Sequence, residues 1–172
     1  MSFSNDVKNE LSRLETNEVC CDKAELLGVL RMSGAIVIRG MNIGIHFSTE
    51  NAALARRVLQ ILKNNYQVQT EVVITRSRRL KKNNRYQVRV LPAPQVSIAM
   101  NELQLLSMES DLKNPLLNKQ CCKRAFLRGA FLGGGSISRP SSDYHLEMVT
   151  GNEDFARSII KVMHTFSMKA KL

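Results

Sequence analysis

Apolar residues recur along this chain in two alternating rhythms, one with the period of a helix and one with that of a strand. Across residues 22–33, Leu26, Leu27, Val29 and Leu30 mark a helix, and Gly34 stands where a C-cap glycine would end it. Residues 35–39 and 43–48 read as short strands around Gly40-Met41-Asn42, a hairpin turn. Asn51 is a good N-cap, and Leu54, Ala55, Val58, Leu59 and Leu62 form the apolar stripe of the helix it opens. Residues 67–75 and 85–91 predict a longer hairpin with its tip over 76–84, and a helix near 96–108 follows.

The same order then returns. Residues 123–133 read as a helix, 136–139 and 145–150 as strands, and Asn152 caps a helix carrying Phe155, Ile159, Met163 and Phe166. Glu153 and Asp154 suit the positive end of that helix. Identical residues stand 101 positions apart without a gap: Cys20 and Cys121, Cys21 and Cys122, Ala24 and Ala125, Gly28 and Gly129, Gly34 and Gly135, Thr49 and Thr150, Asn51 and Asn152. The chain is therefore read as two copies of one unit. The offset predicts a second long hairpin from near Met168, but the sequence stops at Leu172, so a piece of a longer protein is expected. The divisions are an N-terminal helical segment over 1–19, a first copy over 20–110 and an incomplete second copy over 111–172.

Composition narrows the partners. With 44% apolar residues in 172, a true hydrophobic core is affordable, while no apolar run approaches the ~20 residues of a membrane span. The opening Met1-Ser-Phe-Ser lacks a signal-peptide core, so a cytoplasmic location is expected. The net charge of +10 is concentrated. Arg76, Arg78, Arg79, Lys81, Lys82, Arg85 and Arg89 fall in one stretch without an acid, which points to a polyanion, nucleic acid before anionic membrane. Aromatic content is 5% with no Trp, which disfavours a stacking platform for single strands. Arg56 and Arg57 read as solubilising residues of a helix surface, and the repeated Arg56 and Arg157 also allow a structural role.

The four cysteines form two adjacent pairs. Neighbouring side chains on a helix diverge by about 100°, so neither pair makes a spaced zinc claw. Reduced, partly buried thiols are expected, with a metal site joining both pairs as the alternative; His46, His145 and His164 lie off ligand spacing. Gly133-Gly-Gly-Ser136 follows a helix and lacks the Gly-Lys ending of a phosphate loop, so no nucleotide site is read there. No small-molecule substrate is indicated.

Leu26-Leu-Gly-Val-Leu-Arg-Met-Ser-Gly34 and Leu127-Arg-Gly-Ala-Phe-Leu-Gly-Gly-Gly135 both resemble the LAGLIDADG motif of homing endonucleases. The resemblance implies an α+β fold, a pseudo-twofold α-β-β-α-β-β-α repeat with antiparallel sheets, here with its second repeat truncated. Gly28, Gly34, Gly129, Gly133 and Gly135 would let the two motif helices pack closely, with Met32 in the place matching Gly133 making that packing asymmetric. In the nucleases an acid before the last glycine binds the catalytic metal; here Ser33 and Gly134 hold those positions, and Arg31 and Leu132 hold the other acidic site. No catalytic residue, metal or cofactor is therefore expected.

The whole chain resembles the N-terminal part of the WhiA family, bacterial regulators of sporulation and cell division. Ser2-Phe-Ser-Asn-Asp-Val-Lys-Asn-Glu-Leu11, Cys20-Cys-Asp-Lys-Ala-Glu-Leu26, Cys121 through Ser136 and Ser142-Asp-Tyr-His-Leu-Glu147 carry the likeness. It implies a degenerate, non-catalytic LAGLIDADG-like domain, normally followed by a helix-turn-helix domain, with roles in transcription and chromosome segregation at the nucleoid. In the nuclease relatives the sheets saddle duplex DNA. Arg76, Arg78, Arg79, Lys81 and Lys82 at the hairpin tip, together with Arg85, Gln87 and Arg89 on one strand face, become the expected contacts to double-stranded DNA. Arg85 and the tip suit phosphates, and Gln87 and Arg89 suit bases. Two other readings stand beside this one: a platform for a transcription or cell-division protein, and an active metal-dependent endonuclease.

Overall fold

The computed structural model describes residues 2–16, 18–76, 83–105, 113–139, 141 and 143–172. Its elements run α1 (Phe3–Ser12), α2 (Val19–Ser33), β1 (Gly34–Arg39), β2 (Asn42–Thr49), α3 (Ala52–Asn65), β3 (Thr70–Arg76), β4 (Asn84–Val90) and α4 (Pro94–Leu103). After a short 3-10 turn at Pro115–Leu117 come α5 (Gln120–Gly134), β5 (Gly135–Ile137), β6 (Leu146–Met148) and α6 (Glu153–His164). The α+β class with antiparallel sheets is as expected.

The 101-residue offset survives down to single hydrogen bonds. Both α2 and α5 are followed without a break by a strand, and Gly34 pairs with Phe47 as Gly135 pairs with Met148. Asn51 accepts from the Leu54 N–H and Asn152 from the Phe155 N–H, each at 3.0 Å. Thr49 and Thr150 each accept from the amide of the capping asparagine. Identical caps at identical offsets are what one repeated unit requires.

A four-stranded sheet in the order β1-β2-β4-β3 belongs to the first copy, and a two-stranded sheet β5-β6 to the second. The β1–β2 turn is the expected one, with Gly40 at φ 62° supplying the left-handed residue. Alternation sorts the large sheet into two faces. Ile45, Phe47, Val88 and Val90 turn to the core under α3 and α4, while His46, Ser48, Arg85, Gln87 and Arg89 share the open face.

The core centres on α2 against α5. Ala24, Leu26, Leu27, Ala125, Phe126 and Ala130 are fully buried there. One expectation needs correction in the second copy, and the long hairpin expected from near Met168 is not reached. The strands of that copy are three residues each, shorter than 136–139 and 145–150 suggested, and residues 168–172 form neither helix nor strand. The first-copy helix expected over 96–108 begins at Pro94 and ends at Leu103, where Gln104 turns left-handed at φ 56°; residues 106–108 lie outside the described residues.

Helix α1 belongs to both copies. Asn51 donates to Asn5 and Asn9 at 3.1 and 2.9 Å, while Ser4 bonds both the carbonyl and the amide of Ile137 on β5. The segment thus ties the first unit's helix cap to the second unit's edge strand. No helix among the described residues is long and apolar enough to cross a membrane.

Candidate nucleic-acid interface

Two α-helices can approach until backbone meets backbone only where side chains vanish at the crossing. A Cβ on Gly28 would lie 2.3 Å from the Phe126 carbonyl oxygen, and one on Gly129 would lie 2.1 Å from that of Glu25. Gly133 faces Ser33, Met32 and Val29, and Gly134 faces the Met32 side chain. The asymmetry expected at Met32 is therefore present: its side chain fills the space that the two glycines leave.

Gly34 and Gly135 do something else. Their missing Cβ atoms would strike Leu30 and Phe131 of their own helices, not the facing helix. Gly34 has φ −78° and ψ 149°, an extended conformation rather than a left-handed cap. Glycine is needed there because the chain leaves the helix straight into a strand, folding back against its last turn.

The positions that hold metal-binding acids in the nucleases are structurally occupied. The Ser33 hydroxyl donates to the Gly133 carbonyl at 2.7 Å, across the helix pair. Gly134 offers no side chain. Arg31 donates to the Gln104 carbonyl at 3.0 Å, and Leu132 is buried in the core.

Beside the C-terminal end of α5 runs a groove of about 410 Å³, lined by Ser4, Lys8, Ser48, Arg85, Gly133 and Ser136 among others. Glu50 is the carboxylate on its wall. Lys8 stands over the Phe131 ring at 5.6 Å, and burial lowers its pKa from the ordinary lysine value. The groove adjoins the open face of the large sheet, so a ligand in it would meet Arg85 at one side and β5 at the other.

On that face Arg85 is exposed at the end of β4. Gln87 and Arg89 are engaged: Arg89 donates to Gln87 at 2.6 Å and reaches Glu71 on β3 at 3.4 Å, and Gln87 reaches Ser48 at 3.5 Å. Glu71 was missed because the acid-free stretch was counted along the chain. A hairpin closing at Arg76 and Asn84 puts Glu71 opposite Arg89, so the strand pairing itself carried the signal. Arg39 was missed too; alternation along β1 places it on the open face, paired with Asn42. Arg76 is exposed but falls on the other face, sharing it with Asn84, Val72 and Ile74. Arg78, Arg79, Lys81 and Lys82 lie outside the described residues.

One arginine expected at the surface is buried. Arg57 is 8% exposed and clamps Glu25, itself 1% exposed, through two guanidinium nitrogens, while its third nitrogen bonds the Ser12 and Leu14 carbonyls. Arg128 of α5 holds the same carboxylate. Arg56 and Arg157 are exposed, the latter paired with Glu153 at 2.6 Å, so the structural role falls to Arg57 instead.

The two cysteine pairs meet. Their four sulfur atoms lie within 4.8 Å of one another, the one grouping of three or more His, Cys, Asp or Glu side chains among the described residues with spacing fit for an ion. Burial pushes the Cys21 thiol up to about 12 and raises Cys122 as well, while a hydrogen bond from Cys21 lowers Cys121. The repeat of both pairs at one offset, at the starts of two matching helices, was the sequence signal for this convergence.

Residues 19–106 match the WhiA N-terminal LAGLIDADG-like domain, and residues 123–172 the WhiA LAGLIDADG-like domain. Proteins named probable cell division protein WhiA from Alkaliphilus metalliredigens and Oceanobacillus iheyensis are 39% and 40% identical over the full length of this chain. The chain spans 57% and 55% of their lengths. A crystal structure of the N-terminal LAGLIDADG domain of DUF199/WhiA superposes with a TM-score of 0.73 at 24% identity, covering 99% of this chain and 77% of that one. Full-length DUF199/WhiA from Thermatoga maritima gives 0.71 at 22% identity, covering 99% and 53%, a likeness of fold. The paired motif helices, the repeated caps and these matches together place the chain in the WhiA family, as a LAGLIDADG-like unit of that family.

Proposed function

We propose that this unit is a non-catalytic, DNA-associated module of a bacterial transcriptional regulator acting in sporulation, cell division and chromosome segregation at the nucleoid. The observation that carries the reading is the groove at the C-terminal end of α5. It keeps the cations Lys8 and Arg85 beside an open sheet face, while Ser33 and Gly134 stand where metal chemistry would need carboxylates. Duplex phosphates would contact Arg85, Arg39 and the basic tip, and the β3–β4 ribbon would enter the major groove. Gln87 and Arg89 hold each other in place, which preorganises them for a base edge but charges Arg89's release from Glu71 against binding. Sequence-specific reading is assigned to the helix-turn-helix domain that the family resemblance implies.

A second reading has its own support. Ile36, Ile38 and Met41 are 48%, 73% and 100% exposed along one sheet edge, apolar surface suited to a protein partner. Charge reversal separates the two. Replacing Arg78, Arg79, Lys81 and Lys82 by Glu, alone and with Arg85→Glu, is expected to weaken duplex binding at least about tenfold while circular dichroism stays unchanged. Unchanged affinity in the folded variants would remove DNA from this face and leave the protein platform.

A further inference from the structure

Zinc bound by four thiolates has Zn–S distances of about 2.3 Å, which sets the edge of the sulfur tetrahedron at about 3.8 Å. The four sulfurs here all lie within 4.8 Å of one another, so a contraction of no more than about 1 Å closes a tetrahedron around one ion. A polynuclear iron–sulfur cluster spreads its cysteine sulfurs farther than this. Among the described residues no histidine or carboxylate joins the four sulfurs, so the donor set is uniformly soft; the nearby Glu18 carboxylate accepts from the Cys20 thiol at 3.8 Å and stays outside the group.

The placement explains how adjacent cysteines overcome their divergence. Cys20 and Cys121 are the second residues of α2 and α5, and Cys21 and Cys122 the third. Each pair alone would point apart; two pairs facing across the pseudo-twofold enclose one point. Cys21 and Cys122 are 8% and 2% exposed, and Cys20 and Cys121 are half-buried, so a bound ion would be shielded yet reachable. Neither helix has a side-chain cap: Glu18 and Lys119 make no capping hydrogen bond. The positive ends of two helix dipoles thus converge on the thiols, favouring the negative charge a tetrathiolate centre carries.

We propose that Cys20, Cys21, Cys121 and Cys122 form a structural tetrathiolate site for a single soft divalent cation, zinc. The ion clamps the N-terminal ends of the two motif helices. The opposite, C-terminal end of α5 borders the groove, about 22 Å away along a 15-residue helix. The metal therefore holds the two repeats in register and takes no part in chemistry at the groove.

The test uses the full chain, purified under reducing, air-free conditions, stripped with chelator and reloaded with Zn(II) or Co(II). The expected result is about one ion per chain, the intense thiolate-to-cobalt absorption and tetrahedral d–d bands of a four-sulfur centre, and a rise in Tm on loading. Cys121→Ser and Cys20→Ser should each abolish the four-sulfur spectrum and weaken zinc retention at least about 100-fold. Failure of the reduced wild-type chain to retain Zn(II) or show the Co(II) thiolate bands would overturn the proposal, whatever the variants do. So would metal uptake that persists unchanged in both folded serine variants, or a disulfide joining the pairs in air-free protein that takes up no metal.

Discussion

Glu25 is a carboxylate sealed into the seam between α2 and α5, and it is tolerable there only because Arg57 and Arg128 both reach it. Removing it leaves two guanidinium groups facing one another in a water-poor site. Glu25→Gln is therefore expected to lower unfolding free energy by about 3–5 kcal/mol, measured by urea denaturation. A loss below about 1 kcal/mol would mean that solvent reaches the arginines and that the triad is not structural. Nothing in the sequence announced this triad. Glu25 sits among Ala24, Leu26 and Leu27 in a helix that is apolar nearly all round, and its partners come from 32 and 103 positions away. The cluster has no counterpart at the repeat offset, where Arg57 corresponds to Ser158, Glu25 to Phe126 and Arg128 to Leu27.

Among elements, the motif helices show how close approach is built. Gly129→Ala places a methyl 2.1 Å from a backbone oxygen that no rotamer change can move, so the helices must separate. A loss of about 3 kcal/mol is expected by thermal or urea unfolding. Gly151→Ala, with nothing within 4 Å, should change stability by less than about 1 kcal/mol. Equal effects would contradict a backbone-to-backbone seam. The helices and both hairpins of the first copy were legible because alternation and capping act locally, as Asn51 and Asn152 illustrate. The roles of Gly34 and Gly135 were not, since a glycine ending a helix reads the same whether it turns left-handed or merely makes room. The engagement of Arg89 by Glu71 was half legible: the turn position fixes the pairing, but only side-chain geometry shows the contact.

At the scale of the whole molecule, two copies of a LAGLIDADG-like unit share one seam, and α1 stitches them from outside through Ser4, Asn5 and Asn9. The repeat makes this pseudo-symmetry readable, whereas the bonds of α1 to both halves are side-chain contacts that the sequence does not show. The basic stretch of the second hairpin was plain in the sequence. The place of Arg85 on the groove was not, because Lys8 arrives from α1 and Ser136 from β5. Under the proposed function the scaffold keeps a grip on duplex phosphates while the metal chemistry is gone.

The most direct measurement is the affinity of the intact chain for a random-sequence duplex across a salt series, with Mg²⁺ present and cleavage products assayed in the same samples. The account predicts binding whose logarithm falls linearly with the logarithm of salt, a shallower slope by about 1 for Arg85→Glu, and intact DNA throughout. Absence of binding at low salt would contradict the phosphate grip, and Mg²⁺-dependent cleavage abolished by chelator would contradict the loss of chemistry.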